Sequence, residues 1–80
     1  ILNSSVYPNP TKGIVNVSIP SLTDKATINL YDLQGRQILS KETNQVDTSF
    51  GIENLQDGIY LVNIQNDLGT ITKKIVLRRN

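Results

Sequence analysis

Apolar and polar residues alternate along most of the chain, which is typical of β-strands that bury one face. In 15–19, valine and isoleucine alternate with Asn16 and Ser18. In 26–31, Thr27 and Asn29 separate the aliphatic positions in the same way. The almost unbroken apolar run 59–64 predicts a central strand covered on both faces. The predicted strands are 15–19, 26–31, 37–43, 46–50, 59–64 and 70–77.

Turn-forming residues separate these predicted strands. In 32–36, Gly35 is the residue that adopts a positive φ at little cost, so we expect a turn there. We expect a hairpin turn at 66–69 and a lead-in over 1–11, where two prolines restrict the backbone. No window keeps the i, i+3, i+4 apolar spacing of a helix. The sequence therefore predicts an all-β fold, an antiparallel β-sandwich.

The segment 55–62 is similar to the tyrosine corner of immunoglobulin-like sandwiches. In that motif a tyrosine near the start of a strand hydrogen-bonds back to the preceding corner, two residues before a core position. Tyr60 and Val62 would fill these two places. A role for Tyr60 as a ligand or a catalytic phenol is the weaker interpretation, and we expect a structural role.

Two lysines interrupt the last predicted strand. If Ile71 and Ile75 face the core, Lys73 points inward as well, which a β-bulge or an edge position would resolve. Lysine on an edge strand also discourages unwanted strand pairing. The functional alternative is that the basic tail, with Lys73 and Lys74 and continuing to Arg79, is docked by a partner.

Composition narrows the possible chemistry. The chain contains no His and no Cys, so the commonest general base, the usual thiol nucleophile and the usual zinc ligands are absent. The net charge of +1 argues against a nucleic-acid surface, and no apolar run approaches the length of a membrane span. Acidic turn residues such as Asp57 and Asp67 lack the dense array of a calcium loop. We therefore expect no catalytic residue, no cofactor and no metal site.

Four segments, taken in order, resemble a specific family. Block 1 is 7–13, which reads YPNPTKG; block 2 is 30–36, LYDLQGR; block 3 is 55–64, with GIY at its centre; and block 4 is 73–76, KKIV. Each is weak alone, but their order and the chain length together resemble the type A C-terminal sorting domain of the type IX secretion system of Gram-negative bacteria. The resemblance covers nearly the whole chain, 6–77.

This resemblance implies a fold and a function. It implies an immunoglobulin-like sandwich of about seven strands that an outer-membrane translocon recognises after export to the periplasm. A sortase-like surface protease usually removes such a domain from its upstream cargo, and the protein reaches the cell surface or the medium. We accordingly assign 1–6 to the end of a linker from the cargo, with cleavage before or near it, and 7–80 to the sorting domain. Since the first residue is Ile1, we expect the chain to be part of a longer protein, although N-terminal processing would give the same start.

The same resemblance supplies candidate recognition residues. They are Pro8, Asn9, Pro10, Gly13, Asp32, Gly35, Arg36, Gly58, Tyr60, Lys73 and Lys74. The chain departs from the family at its end, because 78–80 extend beyond the basic motif where many relatives finish. Two other classes stay open, namely an adhesion or carbohydrate-binding sandwich, which the small number of aromatic residues disfavours, and a fragment of a hydrolase whose catalytic residues lie elsewhere.

Overall fold

The computed structural model describes residues 3–79 and forms an all-β fold, with no helix among those residues. The all-β prediction is therefore confirmed. The strands are β1 Ser5–Tyr7, β2 Ile14–Ser18, β3 Ala26–Tyr31, β4 Gln37–Thr43, β5 Asp47–Gly51, β6 Gly58–Asn66 and β7 Gly69–Leu77.

The strands form two antiparallel sheets. One sheet has the order β1-β2-β5, and the other has the order β4-β3-β6-β7. In the constant immunoglobulin domain the fourth strand joins the sheet of the first strand, whereas here β4 pairs with β3. The result is a sandwich of three strands against four, in which β7 forms one edge of the larger sheet.

The core lies between the inner faces of the two sheets. The odd residues of β2 and the even residues of β3 and β6 point into it, as the alternating sequence pattern predicts. Each fully buried aliphatic side chain contributes about 1.5–3 kcal/mol to folding. The buried hydrophobic residues are Val15, Val17, Ile19, Ala26, Ile28, Leu30, Ile52, Tyr60, Val62, Ile64, Ile75 and Leu77.

The prediction that 59–64 is covered on both faces is wrong. β6 is central, between β3 and β7, but Ile59 is 40% exposed on its outer face. That outer face carries a polar row, in which Asn29 donates to Asn63 and Asn63 donates to Thr72. Leu61 is only half-buried there. The apolar run therefore reflects one buried face and a second face that is partly open to solvent.

A short strand lies within the expected lead-in. β1 pairs with β2 in the register Ser5 to Ser18, Val6 to Val17 and Tyr7 to Asn16. It spans the expected boundary between the linker, 1–6, and the domain, 7–80. The exact boundary stays a prediction, and its parts at Ile1, Leu2 and Asn80 lie outside the described residues.

Candidate functional site

Block 2 ends in a compact turn that Asp32 organises. One carboxylate oxygen of Asp32 accepts the backbone N–H groups of Gln34 and Arg36, each at 2.9 Å. Its other oxygen accepts the guanidinium Nε of Arg36 at 2.8 Å. Gly35 has a φ of 88°, a left-handed value that favours glycine. The predicted turn is confirmed, and its shape is set by local hydrogen bonds.

The charge of Asp32 is stabilised by the same contacts. The backbone N–H of Arg36 that donates to this carboxylate lowers the pKa of Asp32, and the Arg36 guanidinium acts in the same direction. Both groups favour the ionised form because they donate to it. The turn therefore presents a fixed anion beside the exposed Arg36 guanidinium.

Block 3 begins with a corner that Tyr60 closes. The phenol of Tyr60 donates to the carbonyl of Gln56 at 2.5 Å, and the residue is only 9% exposed. Val62, two positions later, is fully buried. The backbone N–H of Leu55 also donates to the carbonyl of Ile52 at 3.0 Å. The predicted tyrosine corner is confirmed.

The C-terminal tail is fastened to this corner by Arg79. Its backbone N–H and its guanidinium donate to the two carboxylate oxygens of Asp57, at 3.2 and 2.5 Å. The guanidinium also donates to the carbonyls of Glu53 and Leu55. Sequence reasoning missed this contact, for which the only signal is the opposite charge of two residues far apart in the chain. Arg78 and Arg79, which follow β7, are therefore part of the folded end.

A shallow cleft of about 440 Å³ separates the turn of block 2 from the corner of block 3. Two large apolar side chains stand out at its border, since Leu33 is 60% exposed and Ile59 is 40% exposed. The cleft also contains Arg36, Gly58 and Tyr60. Blocks 2 and 3 therefore meet in one surface.

Block 1 meets block 4 along the edge of β7. The side-chain amide of Asn9 donates to the carbonyl of Lys74 at 3.2 Å and accepts the backbone N–H of Val76 at 3.0 Å. Thr11 continues this pairing, because its backbone N–H donates to the carbonyl of Val76 and its carbonyl accepts the N–H of Arg78. The Asn9 side chain thus hydrogen-bonds to β7 as a neighbouring strand would, although Asn9 and Lys74 are 65 residues apart in the sequence.

Gly13 closes the same end of the sandwich. Its carbonyl accepts the N–H of Ile52 at 2.7 Å, and its φ is 153°. A Cβ at this position would lie 2.8 Å from the Cγ of Glu53, closer than carbon atoms normally approach. Beside it, Pro8, Pro10 and Ile14 border a second shallow cleft. The positive φ and the close Glu53 side chain both favour glycine at this position.

The lysines of block 4 lie nearer the middle of β7. Lys73 is half-buried on the inward side of the strand and pairs with Val62, in a register that runs without a bulge from Gly69 to Leu77. The edge position, and not a bulge, explains how an inward lysine is accommodated. Lys74 is exposed on the outer face. Neither lysine forms an ion pair with another of the residues 3–79.

The proposed recognition residues are therefore gathered mainly at one end. We define the motif end as the end of the sandwich formed by 8–14, the turn 32–36, the corner 52–59 and the tail 77–79. It contains most of the candidates, with Tyr60 packed directly behind it, while Lys73 and Lys74 lie further along β7. Within 3–79 no cluster of acidic side chains is arranged to hold a metal ion, and no helix there could cross a membrane.

Comparison with known proteins identifies the family. The secretion system C-terminal sorting domain matches residues 5–78, while no curated protein matches the chain. This family is the sorting signal of type IX secretion; it is not a catalytic family, and it implies interaction with the secretion machinery and export to the cell surface or the extracellular space. With 74 of its 80 residues inside the match, the chain belongs to the type IX secretion C-terminal sorting domain family.

Proposed function

We propose that the motif end is the surface through which the type IX machinery recognises this chain. The observation that supports it is the convergence of blocks 1 to 3, and of the tail that follows block 4, on one end of the sandwich. In the sequence these segments are spread from residue 7 to residue 79. In the structure block 1 contacts block 4, and block 2 pairs with block 3 through β3 and β6. Segments that lie together on one end of the fold can be contacted by one partner at the same time.

The contacts that assemble the motif end also make it rigid. Asn9, Tyr60 and Arg79 each use a side chain to hold a backbone segment that is distant or irregular. A surface that is ordered before binding loses less conformational entropy when it binds. This property suits a signal that has to work behind unrelated cargo, because the fold itself and not the cargo positions the contact groups.

The exposed residues of the motif end fit a protein partner. Leu33 and Ile59 provide apolar contact beside the cleft, and Arg36 provides a charged group whose position is set by Asp32. Exposed apolar side chains rimmed by polar residues mark protein interaction sites, and arginine is enriched among the residues that contribute most to binding. We assign the recognition role to an outer-membrane translocon that receives the chain from the periplasm.

Removal of the domain would take place upstream of the sandwich. A sortase-like surface protease needs an extended and accessible backbone, and such backbone is found in linkers. β1 begins at Ser5 and pairs with β2, so cleavage before Ser5 leaves the sandwich intact. The part of the expected cleavage region at Ile1 and Leu2 lies outside the described residues. The chain acts as the signal, and the protease carries out the cleavage reaction.

Export of a reporter tests the proposal. A fluorescent protein with an ordinary signal peptide is fused ahead of Ile1 in a bacterium with a type IX system. One variant replaces Leu33 and Ile59 by Gln at the motif end. The matched control replaces Val46 and Leu68 by Gln at the opposite end, where these side chains are similarly exposed, 42% and 51%.

The two double variants should differ in export and not in stability. We expect the motif-end variant to leave most of the reporter in the periplasm and the control to deliver it to the surface or medium like the parent. Melting temperatures of the purified domains check that both remain folded. Equal delivery by both variants would contradict recognition through the motif end. Failure of the parent fusion itself would show that this domain alone does not direct export in that bacterium.

A further inference from the structure

We propose that the open half of the β7 edge, 70–74, accepts an extended acidic segment of another protein as an added β-strand. This surface is separate from the clefts of the motif end, so either proposal can fail alone. Three features of β7 support this: the direction of its outward backbone groups, the covering of only half of its edge, and the charge of that edge.

The contacts of block 1 show which backbone groups of β7 point away from β6. The carbonyl of Lys74, the N–H and carbonyl of Val76 and the N–H of Arg78 all bond to 9–11 at the free edge. In a β-strand the N–H and C=O groups of alternate residues point to the same side. The N–H and C=O groups of Thr70 and Thr72, and the N–H of Lys74, therefore also point outward.

The edge of β7 is consequently divided into two parts. From the carbonyl of Lys74 to the N–H of Arg78, the Asn9 side chain and the Thr11 backbone occupy the outward groups. From Thr70 to the N–H of Lys74, the outward groups have no hydrogen-bond partner within 3–79. The contacts of block 1 thus prevent strand addition over one half of the edge. Over the other half they leave a short opening, formed by the unbonded outward groups of 70–74.

The opening has the geometry that strand addition needs. β7 keeps an unbroken register with β6 over nine residues, Gly69–Leu77, and it contains no proline. The competing edges fit an acidic strand less well, since β1 has three residues and β5 carries Asp47 and neither lysine nor arginine. The β4 edge is distorted by a register shift opposite Leu30 and Tyr31. A regular edge with free N–H and C=O groups is the surface used in strand-addition recognition.

Charge determines the kind of strand that fits. Lys73 and Lys74 point to opposite faces of β7, and neither has a carboxylate partner among the described residues. Oppositely charged side chains on neighbouring strands attract, and like charges repel. The two lysines would therefore repel a basic strand and attract an acidic one, which combines attraction to the partner with discrimination against basic strands.

Amide hydrogen exchange followed by NMR tests this inference on the whole chain. The probe is a capped hexapeptide of alternating valine and glutamate, and its control has lysine in place of glutamate. The strand contains its own reference, because the Val76 amide is already bonded to Asn9 whereas the Thr70 and Thr72 amides are not. We expect saturating acidic peptide to slow exchange at Thr70 and Thr72 by about tenfold or more and to leave Val76 unchanged.

A charge reversal sharpens the test. Lys74→Glu changes an exposed side chain, so the domain should remain folded by its melting temperature. This variant should bind the acidic peptide at least about threefold more weakly and the basic peptide correspondingly more tightly. The inference is overturned if neither peptide slows Thr72, if both act equally, or if Thr70 and Thr72 are already protected in the free domain. Protection that depends only on protein concentration would assign the edge to a second copy of the chain.

Discussion

Tyr60 offers a direct test of how the corner before β6 contributes to stability. Its phenol donates to the Gln56 carbonyl at 2.5 Å, while its ring is buried in the core. Tyr60→Phe removes the hydrogen bond and retains the ring. Tyr60→Ala removes both. The two variants therefore separate the contribution of the corner hydrogen bond from that of core packing.

The structure gives different magnitudes for the two changes. Gln56 is exposed, so water can reach its carbonyl after Tyr60→Phe, and the loss should be about 1 kcal/mol. Tyr60→Ala leaves a cavity and should cost about 3–5 kcal/mol. A domain of 80 residues has a total stability of about 4–12 kcal/mol. Tyr60→Ala should therefore remove a large part of the stability, or all of it.

Urea unfolding measures both values, and Tyr31→Phe is the matched control. The Tyr31 phenol bonds weakly to an exposed side chain, Gln37, at 3.4 Å, so its removal should change stability by less than about 0.5 kcal/mol. Tyr60→Phe should lower the melting temperature by about 4–8 °C. If Tyr60→Ala is as stable as the parent, or if Tyr60→Phe and Tyr31→Phe are equal, the assignment of Tyr60 to the corner is wrong.

Three further predictions concern the edge and the turn. Asn9→Ala should destabilise the domain by about 1 kcal/mol and speed amide exchange at Val76, and unchanged exchange there would refute the Asn9 contact. The folded pKa of Asp32 is lowered, so its stabilising effect is present above the unfolded pKa and is lost as pH falls through the folded pKa. The difference in melting temperature between parent and Asp32→Asn should therefore shrink from neutral to strongly acidic pH, and a constant difference would contradict this. If the type IX machinery contacts Lys73 and Lys74 by charge, replacing both by Gln should reduce export of a reporter while the purified domain stays folded by its melting temperature; full export would show that recognition does not need these two charges.

Most of the fold follows from local sequence patterns. Alternation in β2 and β3 locates the inward residues, and the 32–36 turn follows from Gly35 with Asp32 before it. Tyr60 was predictable because the corner motif depends on a spacing of a few residues. These features form through contacts between residues that are close together in the sequence.

The features that sequence reasoning missed depend on distant partners. β1 has only three residues and lies beside two prolines, so its pairing with β2 leaves little pattern in the sequence. Asn9 is a residue type that is common in turns, yet its side chain hydrogen-bonds to β7, 65 residues away in the sequence. Arg79 lies in a charged terminal segment that one would expect to be solvated, yet its guanidinium binds the corner 53–57. The order of the four blocks along the sequence indicated the family, but only the fold shows which blocks are in contact.

Site-specific crosslinking in living cells would test the motif end most directly. A photoreactive amino acid replaces Leu33 at the motif end or, in the control, Leu68 at the opposite end, in a secreted reporter fusion. During export we expect the probe at position 33 to capture an outer-membrane component of the type IX system and the probe at position 68 to capture none. Capture from position 68 and not from position 33, with both fusions exported, would contradict recognition through the motif end.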